Sequence, residues 1–223
     1  MKQLPLAITP PQQASFDSLV VGPNVQAVLH LRTLSLPAAP VYLWGPSGSG
    51  KSHLLHALAT QRQGQGEQIG WFKAGDALPW SFDPGWTLVV VDDCDALDAD
   101  RQQAAFTLFV EAGPQGVQWA AAGRVPPVDL PLRDDLRTRL GWGHVFALQP
   151  LGEGDTRAAL RREADRRGIF LSDEVMDYLL TRFQRDLKHL MRLLDRLDEF
   201  ALAERRGVTV PLLRKMLAEE GPP

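Results

Sequence analysis

Gly45-Pro46-Ser47-Gly48-Ser49-Gly50-Lys51-Ser52 is the stretch on which the fold turns. It satisfies the phosphate-loop pattern G-x-x-x-x-G-K-[ST] at every fixed position. Its flanks agree. Residues 40–44 (PVYLW) predict a short buried strand, and residues 52–61 (SHLLHALATQ) predict an amphipathic helix. Glycines let a backbone turn its N–H groups inward around a phosphate with no Cβ in the way. The helix that follows aims its positive dipole end at the same anion. In such a loop Lys51 reaches the terminal phosphates and the Ser52 hydroxyl ligates Mg²⁺. A glycine-rich turn with a chance lysine is the competing explanation, and the strand–loop–helix context argues against it.

The 223 residues suffice for one α/β domain and a small appendage. A net charge of -3 argues against a strongly basic nucleic-acid platform, although a local basic patch is compatible with it. Cys94 is the one cysteine, so no intramolecular disulfide forms, which suits a reducing cytoplasm. No apolar run of about 18 residues is present, so no membrane span is expected. The first residues, MKQLPLAITPPQQ, lack the apolar segment of a signal peptide.

Outward from the loop, residues 1–13 read as an extended tail with three prolines. Residues 24–33 have helical spacing, with Val25, Val28 and Leu29 on one face. Strands are expected at 69–73, 88–92, 117–122 and 144–148. Helices are expected at 98–111, stopped by Gly113-Pro114, and at 132–140, ended by Gly141. Alternating strands and helices predict a parallel sheet covered on both faces. From Leu151 the pattern turns all-helical, with helices at about 154–167, 173–183, 186–206 and 210–219 and N-caps at Ser172 and Thr209. The expected domains are the tail (1–13), an α/β base (14–150) and a helical lid (151–223).

Val89-Val90-Val91-Asp92-Asp93 is an apolar strand that delivers two carboxylates to its carboxyl end. In a doubly wound sheet that end lies beside the phosphate loop. Asp92 is expected to hold Mg²⁺ through its water shell, and Asp93 to orient an attacking water. A strand ending in a plain acidic turn would look the same, and the pairing with the loop decides for function. Asp95, Asp98 and Asp100 lack the glycine and glutamate of a Ca²⁺ loop and read as turn and helix-start residues. His53 and His56 read as helix surface or packing, and Cys94 as a buried thiol. The six tryptophans read as packing anchors, since no basic run is interleaved with them.

A wider set of residues carries a family likeness. It comprises Phe16-Asp17-Ser18-Leu19-Val20-Val21-Gly22 with Asn24, Tyr42-Leu43-Trp44-Gly45, Ser52-His53-Leu54-Leu55-His56-Ala57, Asp92-Asp93, Pro126-Pro127, Arg139-Leu140-Gly141-Trp142-Gly143 and Leu148-Gln149-Pro150-Leu151. With these the chain resembles AAA+ ATPases of the DnaA branch, most closely the Hda family of regulatory inactivators of the initiator DnaA. The likeness covers nearly the whole base and is weaker in the lid. It implies an AAA+ P-loop fold with a helical lid, bound ADP or ATP with Mg²⁺, and a cytoplasmic role in replication. By this resemblance Val20, Val21 and Asn24 lie near the adenine, His53 follows the loop at the nucleotide, and Lys188 takes the place of a nucleotide-contacting lid arginine, with Arg185 a less apt substitute.

The initiator carries a helical insertion before its acidic strand, and residues 74–87 are too few for one. It also carries a DNA-reading domain, whereas this sequence ends at Pro223, soon after the lid. An initiator-like chain of this kind is expected to regulate the initiator and to touch DNA only indirectly. Arg139 matches the family's arginine finger, a guanidinium offered to the γ-phosphate of a neighbouring subunit, with Arg137 beside it. Read without the family, Arg139 would pair with Asp135 one turn earlier. Two departures lower the expectation of intrinsic turnover. Ala122-Gly123-Arg124 stands where related ATPases place a polar Asn or Asp, and Lys188 lacks a bidentate fork. In the tail, Gln3, Leu4 and Leu6 resemble the Gln-Leu-x-Leu peptides that dock in the sliding clamp.

Three functions therefore compete. One is a clamp-bound regulator that completes the initiator's hydrolysis site, with self-association as a further expectation. The second is a motor ATPase or helicase loader on single-stranded DNA. The third is a non-catalytic adaptor.

Overall fold

Runs such as Leu88-Val89-Val90-Val91 have no polar alternation, and only a strand covered on both faces can bury them. The computed structural model describes residues 14–35, 39–183 and 186–220. The tail readings at Gln3, Leu4 and Leu6, and that at Arg185, lie outside these. The described residues divide into two compact units between Pro150 and Leu151.

In the first unit the elements run α1 (Val25–Arg32), β1 (Val41–Trp44), α2 (Lys51–Gly64), β2 (Gln68–Lys73), β3 (Trp86–Asp92), α3 (Ala99–Ala112), β4 (Gln118–Gly123), α4 (Asp134–Leu140) and β5 (His144–Ala147). The strands form a parallel sheet in the order β2-β3-β4-β1-β5. One face packs α1 and α2 through Val28, Leu31, Leu54 and Leu58 on Val41, Leu43, Leu88 and Val90. The other face packs α3 and α4 through Leu108, Leu136 and Leu140 on Tyr42, Val89, Val91 and Trp119. Side chains of successive strand residues point to opposite faces, so β3 feeds both cores at once.

Sequence periodicity placed these elements but missed one face. α1 buries Ala27, Val28 and Leu31, while Val25 and Leu29 are 57% and 59% exposed. An eight-residue helix with apolar residues at 25, 27, 28, 29 and 31 offers two stripes of helical spacing. Packing chose the stripe with the small alanine. α2 begins one residue earlier than expected and runs on to Gly64, and α4 begins at Asp134, leaving Leu132 buried in the loop before it.

The second unit holds α5 (Glu153–Arg166), α6 (Asp173–Arg182), α7 (Leu187–Glu204) and α8 (Val210–Glu220). Leu190, Leu193, Leu194 and Leu197 form one stripe of α7 and pack with Leu160, Val175, Leu179, Leu213 and Met216. Ser172 caps α6 by accepting from the Val175 N–H at 3.4 Å, and Thr209 accepts from the Leu212 N–H at 3.4 Å. Arg166 and Arg167 both donate to Glu163, and with Arg166 as the main cause they hold its carboxyl at about 2. No described helix is long and apolar enough to cross a membrane.

Two imidazoles in the first unit give the fold a pH dependence. His30 on α1 lies 4.3 Å, ring to ring, from His144 on β5. Burial, and secondarily His144, keeps its pKa below the usual value. Burial lowers that of His53 too, with the Ser15 carbonyl pulling the other way. A histidine harder to protonate when folded contributes stability that is complete above its unfolded pKa of about 6.5 and is lost as the pH falls below it. The urea midpoint is therefore expected to be lower at pH 5.5 than at pH 8, with the difference smaller in His30→Gln. A difference unchanged by that substitution would remove His30 from the account.

Candidate nucleotide site

The loop leaves the sheet at Trp44, the end of β1, and returns as α2 at Lys51. Gly48 and Gly50 hold φ of 78° and 96°, values that a side chain disfavours. A Cβ on Gly45 would run into the Leu148 carbonyl. These three glycines let the loop close on itself without side-chain bulk. Inside it the Lys51 ammonium donates to the carbonyl oxygens of Gly45 and Pro46 at 2.8 and 2.9 Å. Burial holds the Lys51 pKa below the ordinary lysine range, and the carboxylates of Asp92, Asp95 and Asp93 act against that. Ser52 is exposed on the first turn of α2.

The strand register brings the second half of the site alongside. Val91 pairs with Ala121 and Leu43 with Ala122, so Asp92 ends β3 two strands from the loop, about 10 Å away. Asp92 is buried, and its Oδ1 accepts the N–H of Asp93 at 2.9 Å. Asp93 turns the chain at φ 53° and ψ 42°, a left-handed conformation that aspartate tolerates better than most residues, and it is exposed. Burial, with Asp92 and Asp95, raises its pKa.

A third wall comes from the chain before α1. Phe16 anchors it in the core. The His53 Nε2 lies 3.3 Å from the Ser18 hydroxyl and 3.4 Å from the Ser15 carbonyl, so the His53 side chain ties this segment to α2. The Asn24 amide donates to the Gln149 carbonyl at 2.9 Å and accepts the Gln149 N–H at 2.8 Å. That bridge fixes Asn24, whose N–H also donates to the Val21 carbonyl at 3.0 Å, against the exit of β5, at the edge from which the loop also leaves, since Ala147 pairs with Trp44. The Asn24 side chain is thus a clamp on the backbone of residue 149. Lys188 belongs to the other unit, where it is exposed on the first turn of α7 and its N–H bonds Asp186 at 3.0 Å.

Whether a nucleoside polyphosphate suits these residues can be tested on one atom. The Ser49 hydroxyl sits within the loop on a residue 5% exposed, and it has no hydrogen-bond partner among the described residues. A buried hydroxyl left unpaired costs about 1–3 kcal/mol. A phosphate oxygen would satisfy it, and Lys51 and the loop N–H groups supply the matching charge. The residues fit the group.

Sequence reasoning missed one member of this edge. Arg124, noted only as a departure from a polar residue, donates to Asp95 through its backbone N–H at 2.9 Å and its Nε at 3.0 Å. It thereby brings a cation to the carboxylates of Asp92, Asp93 and Asp95. Asp95 was read as a turn residue, and only the tertiary pairing of β4 with the turn after β3 reveals the link. Asp98 does start α3, its carboxylate accepting the Arg101 N–H at 2.9 Å.

Arg139 lies elsewhere. β5 starts at His144 opposite Val41, the beginning of β1, whereas the loop leaves from the end of β1. α4 therefore runs in at the amino edge of the sheet. The Arg139 guanidinium reaches the Asp135 carbonyl at 3.4 Å and not the Asp135 carboxylate, which Arg133 takes at 2.7 Å. Asp134 is taken by Arg137 at 2.6 Å. The ion pair with the Asp135 carboxylate, which the reading without the family offers, is thus absent among the described residues. Cys94 is buried as expected, and burial pushes its thiol pKa up. His56 stacks on Trp71 at 4.0 Å.

Known proteins place these features. Residues 153–217 match the family model described as the lid domain of Hda. Domain III of the Thermotoga maritima replication initiation protein DnaA superposes with a TM-score of 0.77 at 19% identity, over 96% of this chain and 100% of that one. AMPPCP-bound DnaA from Aquifex aeolicus gives 0.68 at 19% identity, over 86% and 68%. The Thermotoga maritima RuvB Holliday junction branch migration motor gives 0.67 at 16% identity, over 92% and 72%. At such identities the likeness fixes the fold, an AAA+ base followed by a helical lid. Residues 153–217 thus carry the likeness to the Hda lid, and the chain has the fold of the DnaA AAA+ domain.

Proposed function

We propose that this protein is a nucleotide-binding regulator of chromosome replication that, with the DNA-loaded sliding clamp, stimulates hydrolysis of the ATP bound to the initiator DnaA. The observation that carries the reading is Arg139, a cation with no carboxylate partner among the described residues, at the sheet edge opposite its own phosphate loop. The Hda-type lid and the DnaA-type base support the same reading.

In this reading the chain's own site serves to hold ADP or ATP. Gly45, Pro46, Ser47, Gly48, Ser49 and Gly50 surround the phosphates, Lys51 offsets their charge, and Val20, Val21 and Asn24 flank the base. Ser52 and Asp92 would hold Mg²⁺, which lends phosphates Lewis-acid stabilisation when bound. DnaA of known structure binds AMPPCP, which supports a nucleotide here. Arg139 acts on the partner's nucleotide, where a guanidinium spreads the charge that develops on the transferred phosphoryl group.

The test is ATP hydrolysis by purified initiator, alone, with this protein, and with this protein and DNA-loaded clamp. Stimulation only in the complete mixture is expected. Vigorous turnover by this chain alone would instead favour a motor on single-stranded DNA.

Clamp attachment is assigned to Gln3, Leu4 and Leu6, whose two leucines suit an apolar pocket. Deleting residues 1–8, or replacing Leu4 and Leu6 by Ala, is expected to abolish co-elution with the clamp and leave ADP affinity intact. Co-elution of the truncated protein would end the docking assignment.

A further inference from the structure

Arg139 is enclosed by rings. Its guanidinium carbon lies 4.6 Å from the centre of the Phe106 ring, 5.4 Å from that of Trp142 and 5.8 Å from that of Phe109. Phe106 and Phe109 come from α3, and Trp142 from the turn after α4. Phe109 also meets Trp142 edge-on at 6.4 Å and the buried Trp119 at 5.0 Å, so the walls brace one another and the core. Trp142 is nevertheless 64% exposed. An indole so exposed contributes little to the core, and its best contact is the cation beneath it.

We infer that Phe106, Phe109 and Trp142 are positioning residues that hold Arg139 ready to meet an anion on a partner. The inference rests on the proposed role of Arg139 in a partner's hydrolysis. Aromatic faces attract a guanidinium and replace the water on its flat sides, while its N–H edge keeps its donors. Among the described residues that edge makes one long bond, to the Asp135 carbonyl. Among the described residues, the carboxylates of Asp135 and Asp134 pair with Arg133 and Arg137 and not with Arg139. An arginine fixed in this way loses less rotamer freedom when it engages than one free in water.

Two measurements test this. In the complete stimulation assay Trp142→Ala is expected to lower the maximal stimulated rate about tenfold, with little change in the concentration of this protein that half-saturates it. Trp142→Phe should restore most of the rate. By NMR of the full chain, the Arg139 Nε–H resonance should be displaced by the rings and move toward the value of a free arginine in Trp142→Ala. Because Trp142 is largely exposed, the variant should keep its melting temperature. Phe106→Leu supplies a second wall variant, in which the same loss of rate is expected. If Arg139→Ala abolishes stimulation while Trp142→Ala and Phe106→Leu retain the full rate, the cradle is idle and the finger stands. Should Arg139→Ala retain full stimulation, the finger fails and the positioning role goes with it.

Discussion

Lys51→Ala should bind ADP about a hundredfold more weakly than the parent chain, or not measurably at all. The lysine is the buried cation of the loop, and charge-assisted hydrogen bonds to phosphate are among the strongest that a side chain makes. Its removal should cost the fold little. Burial already penalises the charged ammonium, as the lowered pKa records, and the carbonyls of Gly45 and Pro46 lie at a loop that water can reach once the side chain is shortened. The variant is therefore expected to melt near the parent temperature without nucleotide but to lose the stabilisation that ADP confers, which grows as the logarithm of ligand over Kd. Calorimetry and thermal melts read the two effects separately. Unchanged ADP affinity in Lys51→Ala, and in Lys51→Gln, would remove the phosphate-loop assignment.

How much of this was legible depends on the range of the interaction. The loop and both its flanks are local, so eight residues fixed the strand, the turn and the helix start. The apolar run at 88–91 could only be a doubly covered strand, and the sheet is parallel as expected. Short amphipathic pieces were less informative. α1 carries two apolar stripes, and its orientation depends on what it packs against, which no local pattern records. The lid helices were readable because α7 repeats leucine at helical spacing from Leu187 to Leu197, about three turns, while Ser172 and Thr209 mark helix starts by their own hydrogen bonds.

At the site, legibility ended where partners lie far apart in the chain. That Asn24 spends its amide on the backbone of residue 149, 125 positions away, has no sequence signal. Nor has the tie between Arg124 and Asp95, 29 positions apart, which turns an apparent gap in the site into an ion pair beside it. His53 was counted with the nucleotide because it follows the loop, yet its ring secures Ser15 and Ser18. Arg139 was legible as a residue type in a family register, while its aromatic surroundings join α3 to the turn after α4 and appear only on folding.

Arg139→Ala should abolish stimulation of the initiator while leaving everything else about this protein in place. The guanidinium is half-buried and held by contacts with rings rather than by an ion pair, so its loss opens a surface cleft and strands no buried charge. It lies at the amino edge of β1 and β5, away from Lys51 and Ser49, so ADP affinity should not change. Clamp binding, assigned to the tail, should not change either. What disappears is a charge that meets the reacting phosphate in the transition state, and such a group alters rate without altering ground-state binding. Arginine fingers supplied from a neighbouring subunit contribute on the order of a thousandfold or more, so stimulated turnover should fall to that of the initiator alone. Arg139→Lys should recover little, because an ammonium neither spans two phosphate oxygens nor lies flat between Phe106 and Trp142. Full stimulation by Arg139→Ala would mean that the initiator completes its own site and that this protein acts as an adaptor. Loss of the protein's own ADP would place Arg139 at the wrong nucleotide.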